Sequence, residues 1–159
     1  MNAIPPRARQ QGMSLLESLL AILIFSVGIL AIVALQATSV KATTEAKMRA
    51  DAGFLASQII ARMWTDVSNL ATYQYNPAGT YNGNANALGG YGTCAYTGGG
   101  TGANAARDAW VASLPGSLPG NAAAMTQVII GANNLVTVNI CWQSGNDIRV
   151  FSTVTQINI

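Results

Sequence analysis

Few side chains in this 159-residue chain can do chemistry, and their types narrow the options at once. Histidine is absent, and Cys94 and Cys141 are the only thiols. Beyond Asp66 only two acids remain, Asp108 and Asp147. General acid and base catalysis needs clustered titratable groups, and a Ser or Cys nucleophile needs a base beside it. The chain offers neither, so it is not expected to be an enzyme, and no catalytic or cofactor-binding residue is assigned. Two cysteines without histidine also leave zinc without a ligand set. The run Gly98-Gly99-Gly100-Thr101-Gly102 lacks the following Gly-Lys-Ser/Thr of a phosphate-binding loop.

One carboxylate stands in an unusual place. Glu17 sits at the head of an apolar stretch, Ser18 to Val40, that runs 23 residues without a charge. A charged side chain at mid-bilayer costs roughly 2.5 to 3.5 kcal/mol on insertion scales, so such a residue usually has a partner or a task. No partner is near in the sequence. Arg7 and Arg9 lie on the far side of Gly12, and Lys41 is about 36 Å along a helix rising 1.5 Å per residue. The counter-charge then comes from another molecule, or from a new amine made by cutting the chain. A glutamate that snorkels to the headgroups of a single-pass protein needs no partner. That alternative explains neither the short leader nor its glycine.

The leader, Met1 to Gly12, holds two arginines, two prolines and no apolar core, unlike a secretory signal whose hydrophobic segment precedes its cleavage site. Arg7 and Arg9 keep the N-terminus cytoplasmic and send the chain beyond Val40 to the opposite face. A cut at Gly12 is therefore made from the cytoplasmic side, and both cysteines lie outside the cytoplasm. There a Cys94–Cys141 disulfide is the natural reading, with two buried free thiols as the alternative. Closing a loop of about 48 residues stabilises a fold by ~4 kcal/mol on the chain-entropy model. Without Arg7 and Arg9 the chain holds six basic and six acidic side chains. It thus has no basic footprint, and no nucleic-acid partner is expected.

Gly12-Met13-Ser14-Leu15-Leu16-Glu17, followed by the apolar span, resembles the class III signal of type IV prepilins. The resemblance implies that a prepilin peptidase cuts between Gly12 and Met13 and methylates the new amine. Glu17 becomes the fifth mature residue, which in that family meets the N-terminal amine of a neighbouring subunit. Met13 stands where phenylalanine is commonest. Val27 to Gln36, with the later Trp110 and Leu114-Pro115-Gly116, is similar to the PilV-type minor pilins, closely in the N-terminal third and only in layout beyond it. That likeness implies an α+β pilin fold, a long N-terminal helix packed on a small antiparallel β-sheet. It also implies a minor subunit acting in pilus initiation, with other minor pilins, the major pilin and a tip adhesin as partners. The chain would be anchored once in the inner membrane, with its C-terminal domain in the periplasm, before entering the pilus. A minor pseudopilin of type II secretion and a pilus-associated adhesive module are the alternatives.

The elements follow from the pattern. A proline-free helical stretch runs from Ser14 to about Asn69, with Gly28 and Gly53 as soft points. Four charge pairs at i,i+4 (Lys41/Glu45, Glu45/Arg49, Lys47/Asp51, Arg62/Asp66) support a solvated second half, each by ~0.2 to 0.5 kcal/mol. Ala52, Leu55, Ala56, Ile59, Ile60, Met63 and Val67 form an apolar stripe for packing on a sheet. Tyr73 to Ala106 reads as a long irregular loop, its five tyrosines pinning it down. Ala105 to Leu114 is a short helix ended by Pro115. Gln127 to Ile130, Asn134 to Trp142 and Ile148 to Ile159 read as a three-stranded meander, with room for a fourth strand from the loop. Val136, Val138, Ile140 and Trp142 share the helix-facing side, so Cys141 points away, and its disulfide would staple the loop to the outer face or edge of the sheet. The expected organisation is a leader over 1–12, a membrane and filament-core half-helix over 13–40, an exposed half-helix over 41–69 and a globular domain over 70–159.

Membrane-extracted protein is expected to start at Met13 with a methylated amine. An intact mass that retains Met1 to Gly12 overturns the cleavage.

Overall fold

The computed structural model describes residues 13–82 and 93–158. The chain divides into two units between Thr44 and Glu45. Helix α1, Met13–Thr65, contributes to both and passes through Gly28 and Gly53 without interruption. In the first unit its hydroxyls fold back on their own backbone. Ser18 Oγ donates to the Ser14 carbonyl at 2.9 Å and Ser26 Oγ to that of Ile22 at 2.7 Å. These two hydroxyls are thereby satisfied within the helix.

In the second unit α1 lays Ala52, Leu55, Ala56, Ile59 and Met63 into the core, with Ile60 and Val67 half-buried beside them. The α-helix stops at Thr65, four residues short of the expected Asn69, and a 3-10 turn, Val67–Tyr73, follows. Val67, Leu70 and Tyr73 recur at steps of three, the spacing that 3-10 winding aligns on one face. Leu70 and Tyr73 are buried.

The sheet is an antiparallel meander of β3 (Thr126–Ile130), β4 (Leu135–Ser144) and β5 (Asp147–Gln156) in chain order, preceded by a separate hairpin of β1 (Ala78–Asn82) and β2 (Thr93–Thr97). Val136, Val138, Ile140 and Trp142 of β4 join the α1 stripe in one core, as the alternation predicts. Opposite Ile140 stands Phe151 of β5. Its ring rests against Gly53, at ordinary van der Waals distance from where a Cβ would stand. Gly145, at φ +63°, opens the two-residue turn into β5 as a II′-type hairpin requires.

The segment between Tyr73 and Ala106 departs from the irregular loop expected of it, because it carries the β1–β2 hairpin. Residues 83–92, with Tyr91, lie outside the described residues. No fourth strand forms in the sheet among the described residues. The loop's contribution to it is Tyr75, which exchanges two 2.9 Å backbone bonds with Val128 of β3. Helix α2, Ala105–Ser117, also differs, since Pro115 lies inside it. The proline lacks its N–H only in the last turn, where one bond is lost. Leu118 N–H then closes the end on the Leu114 carbonyl at 2.9 Å, and both leucines are buried. Trp110 ties α2 to α1, its Nε1–H donating to the Leu55 carbonyl at 3.0 Å.

Arg107 is the second clasp. Its side chain is 4% exposed. Nη1 donates to the carbonyls of Thr72 at 2.6 Å, Gln74 at 3.3 Å and Thr101 at 3.4 Å, and Nη2 to that of Gly102 at 3.1 Å. Asp108 supplies the counter-charge at 2.8 Å, and the guanidinium lies 5.9 Å from the Tyr75 ring centre. A Cβ at Gly100 would collide with the guanidinium, and Gly98, Gly99 and Gly102 all have positive φ. The glycine-rich run is therefore the wall of an arginine cage.

On the other side of the sheet a disulfide joins Cys94 of β2 to Cys141 of β4, with Cα atoms 6.4 Å apart. Tyr96 packs its hydroxyl 3.8 Å from Cys141 Sγ. Asn76 holds the hairpin base with its amide, donating to the Ala123 and Thr126 carbonyls and accepting from Gly99 N–H. Tyr96 and Cys141 are both buried here, beside the covalent link.

Arg107→Ala leaves several buried carbonyls without donors and is expected to lower unfolding free energy by about 3 kcal/mol in urea titrations. Arg107→Lys should recover less than half of the loss, because one ammonium cannot reach carbonyls on both sides of the cage. Burial, and the Asp66 carboxylate that accepts from its hydroxyl at 3.3 Å, raise the Tyr73 phenol above its ordinary value of 10.0. A raised acid holds its proton more tightly when folded, so this stabilisation is complete below pH 10 and disappears as pH climbs through the folded value. Unfolding free energy is expected to fall on the alkaline side, and Tyr73→Phe should flatten that slope.

Candidate processing and assembly site

The residues singled out by chemistry sit at the start of α1. Gly12 lies outside the described residues, and Met13 is the first helical residue. Glu17 follows one turn later on the solvent-exposed surface, and among the described residues no ion pair includes it. Side chains in a helix lean toward its N-terminus, so the Glu17 carboxylate is directed toward the turn that carries Met13. An amine freed at Met13 and the positive end of the helix dipole would both lie on that side.

Apart from Ser14 and Ser18, the side chains around Glu17 are apolar. The large apolar side chains between Leu15 and Val40 are 45% to 71% exposed. Leu15, Leu16, Leu19 and Leu20 surround the acid on successive positions, and Ile22 to Phe25 continue around the barrel of the helix. A helix that is hydrophobic all round must be covered by lipid or by other helices. Covering one such side chain is worth ~1.5 to 3 kcal/mol, so the full set amounts to tens of kcal/mol. An ion pair at Glu17 would be small beside that sum. Helix α1 is long and apolar enough to cross a membrane, and none of its apolar window is buried.

Among the described residues no three His, Cys, Asp or Glu side chains gather as metal ligands. A polar hollow of about 370 Å³ lies between the 3-10 turn and the start of α2, lined by Asp66, Asn69, Thr72 and Asn104. Its polar atoms satisfy one another. Asn69 donates to Asp66 at 2.7 Å, and Asn104 donates to Thr72 Oγ1 at 2.8 Å while capping α2 through Arg107 N–H. Sequence reasoning missed Arg107 and Asn76 as organising residues. A lone basic residue beside a glycine-rich run in a charge-poor domain was the available signal for the first.

Comparison with known proteins agrees with the N-terminal reading. The model of the prokaryotic N-terminal methylation motif matches residues 7–33, which include Gly12, Met13 and Glu17. No curated protein and no solved structure matches the chain. The chain thus carries a prepilin-type signal ahead of a long apolar helix and a small antiparallel sheet, an arrangement that supports a pilin-like structural protein anchored in a membrane.

Proposed function

We propose that this chain is a minor subunit of a type IV pilus, of the PilV type, that takes part in starting assembly within a complex of minor pilins near the tip. Residues 1–12 are the leader, 13–40 the membrane and later filament-core half of the helix, 41–69 its exposed half and 70–159 the periplasmic domain. Prepilin peptidase cuts between Gly12 and Met13 and methylates the new amine. Before assembly the chain resides in the inner membrane; afterwards it is held among other minor pilins and the major pilin, and a tip adhesin is a further partner. The observation that carries the reading is the lone Glu17 at the head of an uncovered apolar helix, inside the segment that matches the methylation motif.

The mechanism follows from two unequal forces. Burial of Leu15 to Leu35 against neighbouring helices provides most of the free energy but fixes no axial position. Cleavage creates a positive amine that must find a negative group in a low-dielectric bundle, where a pair is far stronger than in water. A subunit is in register when its amine reaches an acid such as Glu17. The same signal serves a minor pseudopilin of type II secretion; the Cys94–Cys141 disulfide and the long Gly/Asn segment favour the pilus.

Glu17→Ala is expected to leave membrane insertion and cleavage intact while impairing recruitment into the assembly, scored by co-isolation with sheared pili. Normal piliation and incorporation with alanine at that position contradict the mechanism. Normal piliation of a deletion strain with lost attachment would point instead to an adhesive module.

A further inference from the structure

The two edges of the three-stranded sheet are treated differently. At β3 the edge is closed, because Tyr75 exchanges backbone bonds with Val128 and the Asn76 carbonyl accepts from Gln127 Nε2 at 3.0 Å. At β5 it is open. Backbone groups in an antiparallel ladder face alternate neighbours. Ile157 N–H bonds the Asn134 carbonyl at 3.0 Å, which sets the parity. Arg149, Phe151, Thr153 and Thr155 therefore face β4, while Ile148, Val150, Ser152, Val154 and Gln156 turn their N–H and C=O groups away from the sheet. Among the described residues nothing bonds those outward groups.

Natural edges of this kind are blunted by lysine, proline, a bulge or a covering element. Among the described residues strand β5 has none of these along Val150 to Gln156, a seven-residue run without charge, proline or glycine. Its two charges come earlier and are engaged, Arg149 lying 3.2 Å from Asp147 and 3.7 Å from Glu45. Beside the open edge Val154 is 56% exposed and Leu135 45% exposed, both on the face away from α1.

We infer that the β5 edge accepts an extended strand from a different subunit of the assembly, uncharged over about seven residues and apolar at alternate positions. Only a strand satisfies a row of alternating donors and acceptors, and a charge placed opposite this neutral run would be desolvated without a partner. Two copies of this chain could join their β5 edges only about a two-fold axis, which closes on itself. Subunits that extend a fibre meet through unlike surfaces. That choice of occupant rests on the assembly role proposed above.

The test uses the full-length chain in cells, with a photo-crosslinking amino acid in place of Val154, whose side chain is exposed on the outer face. The expected adduct maps by tandem mass spectrometry to an uncharged extended segment of another subunit. Ser152→Pro removes an outward N–H without touching the β4 ladder, and Ser152→Lys places a charge on the edge while keeping the backbone whole. Each should cut the adduct about tenfold; should the proline variant fail to fold, the lysine variant decides. An adduct to β5 of a second copy or to a helix, an adduct insensitive to Ser152→Lys, or no adduct overturns the proposal. Cleavage after Gly12 and entry into the assembly are read from the same preparation. If they hold while the adduct is missing, only the strand addition falls; if they fail as well, the assembly role falls with it.

Discussion

An apolar helical surface left exposed between Leu15 and Val40 among the described residues is the constraint on which the rest of this protein turns. Between Leu15 and Val40 no large side chain is buried. Water is a poor solvent for such a surface, so lipid or other helices must cover it. Burial is non-directional, and a greasy helix can slide along its neighbours at little cost. Glu17 is the only ionisable side chain in the apolar segment.

The globular unit answers a different problem, how to hold a small domain together with few charges and a single core. The α1 stripe and the inner face of the sheet form that core, and α2 joins it through buried Trp110 and Leu114 and is tied to α1 by the indole bond to Leu55 and by Arg62 donating to the Ala106 carbonyl. The long segment between the helices has little apolar surface to bury. It is fixed instead by a caged guanidinium, an amide clasp at Asn76 and the Cys94–Cys141 link. Each of these acts on backbone carbonyls or covalently, which suits a segment rich in glycine and asparagine whose side chains offer little else to hold.

The sequence by itself determined the features that depend on local order or composition. The Gly12 to Glu17 spacing, the charge-free span and the stripe from Ala52 to Met63 need no partner to be recognised, because a helix converts spacing directly into a face. The β4 alternation likewise assigned Val136, Val138, Ile140 and Trp142 to one side, and the absence of histidine bounded the chemistry.

Tertiary structure decided what depends on contacts between distant residues. The α1 stop at Thr65 follows from the burial of Leu70 and Tyr73, which propensity does not encode. Pro115 is tolerated inside α2 because Leu114 and Leu118 are anchored in the core. Arg107 reads in sequence as one more charge, yet its environment is made by carbonyls from Thr72 to Gln74 and from Thr101 to Gly102, brought around it only when the chain folds. The same holds for the contrast between a closed β3 edge and an open β5 edge. Alternation predicts a strand, but which neighbour a strand finds is settled by Tyr75, some fifty residues before its partner Val128.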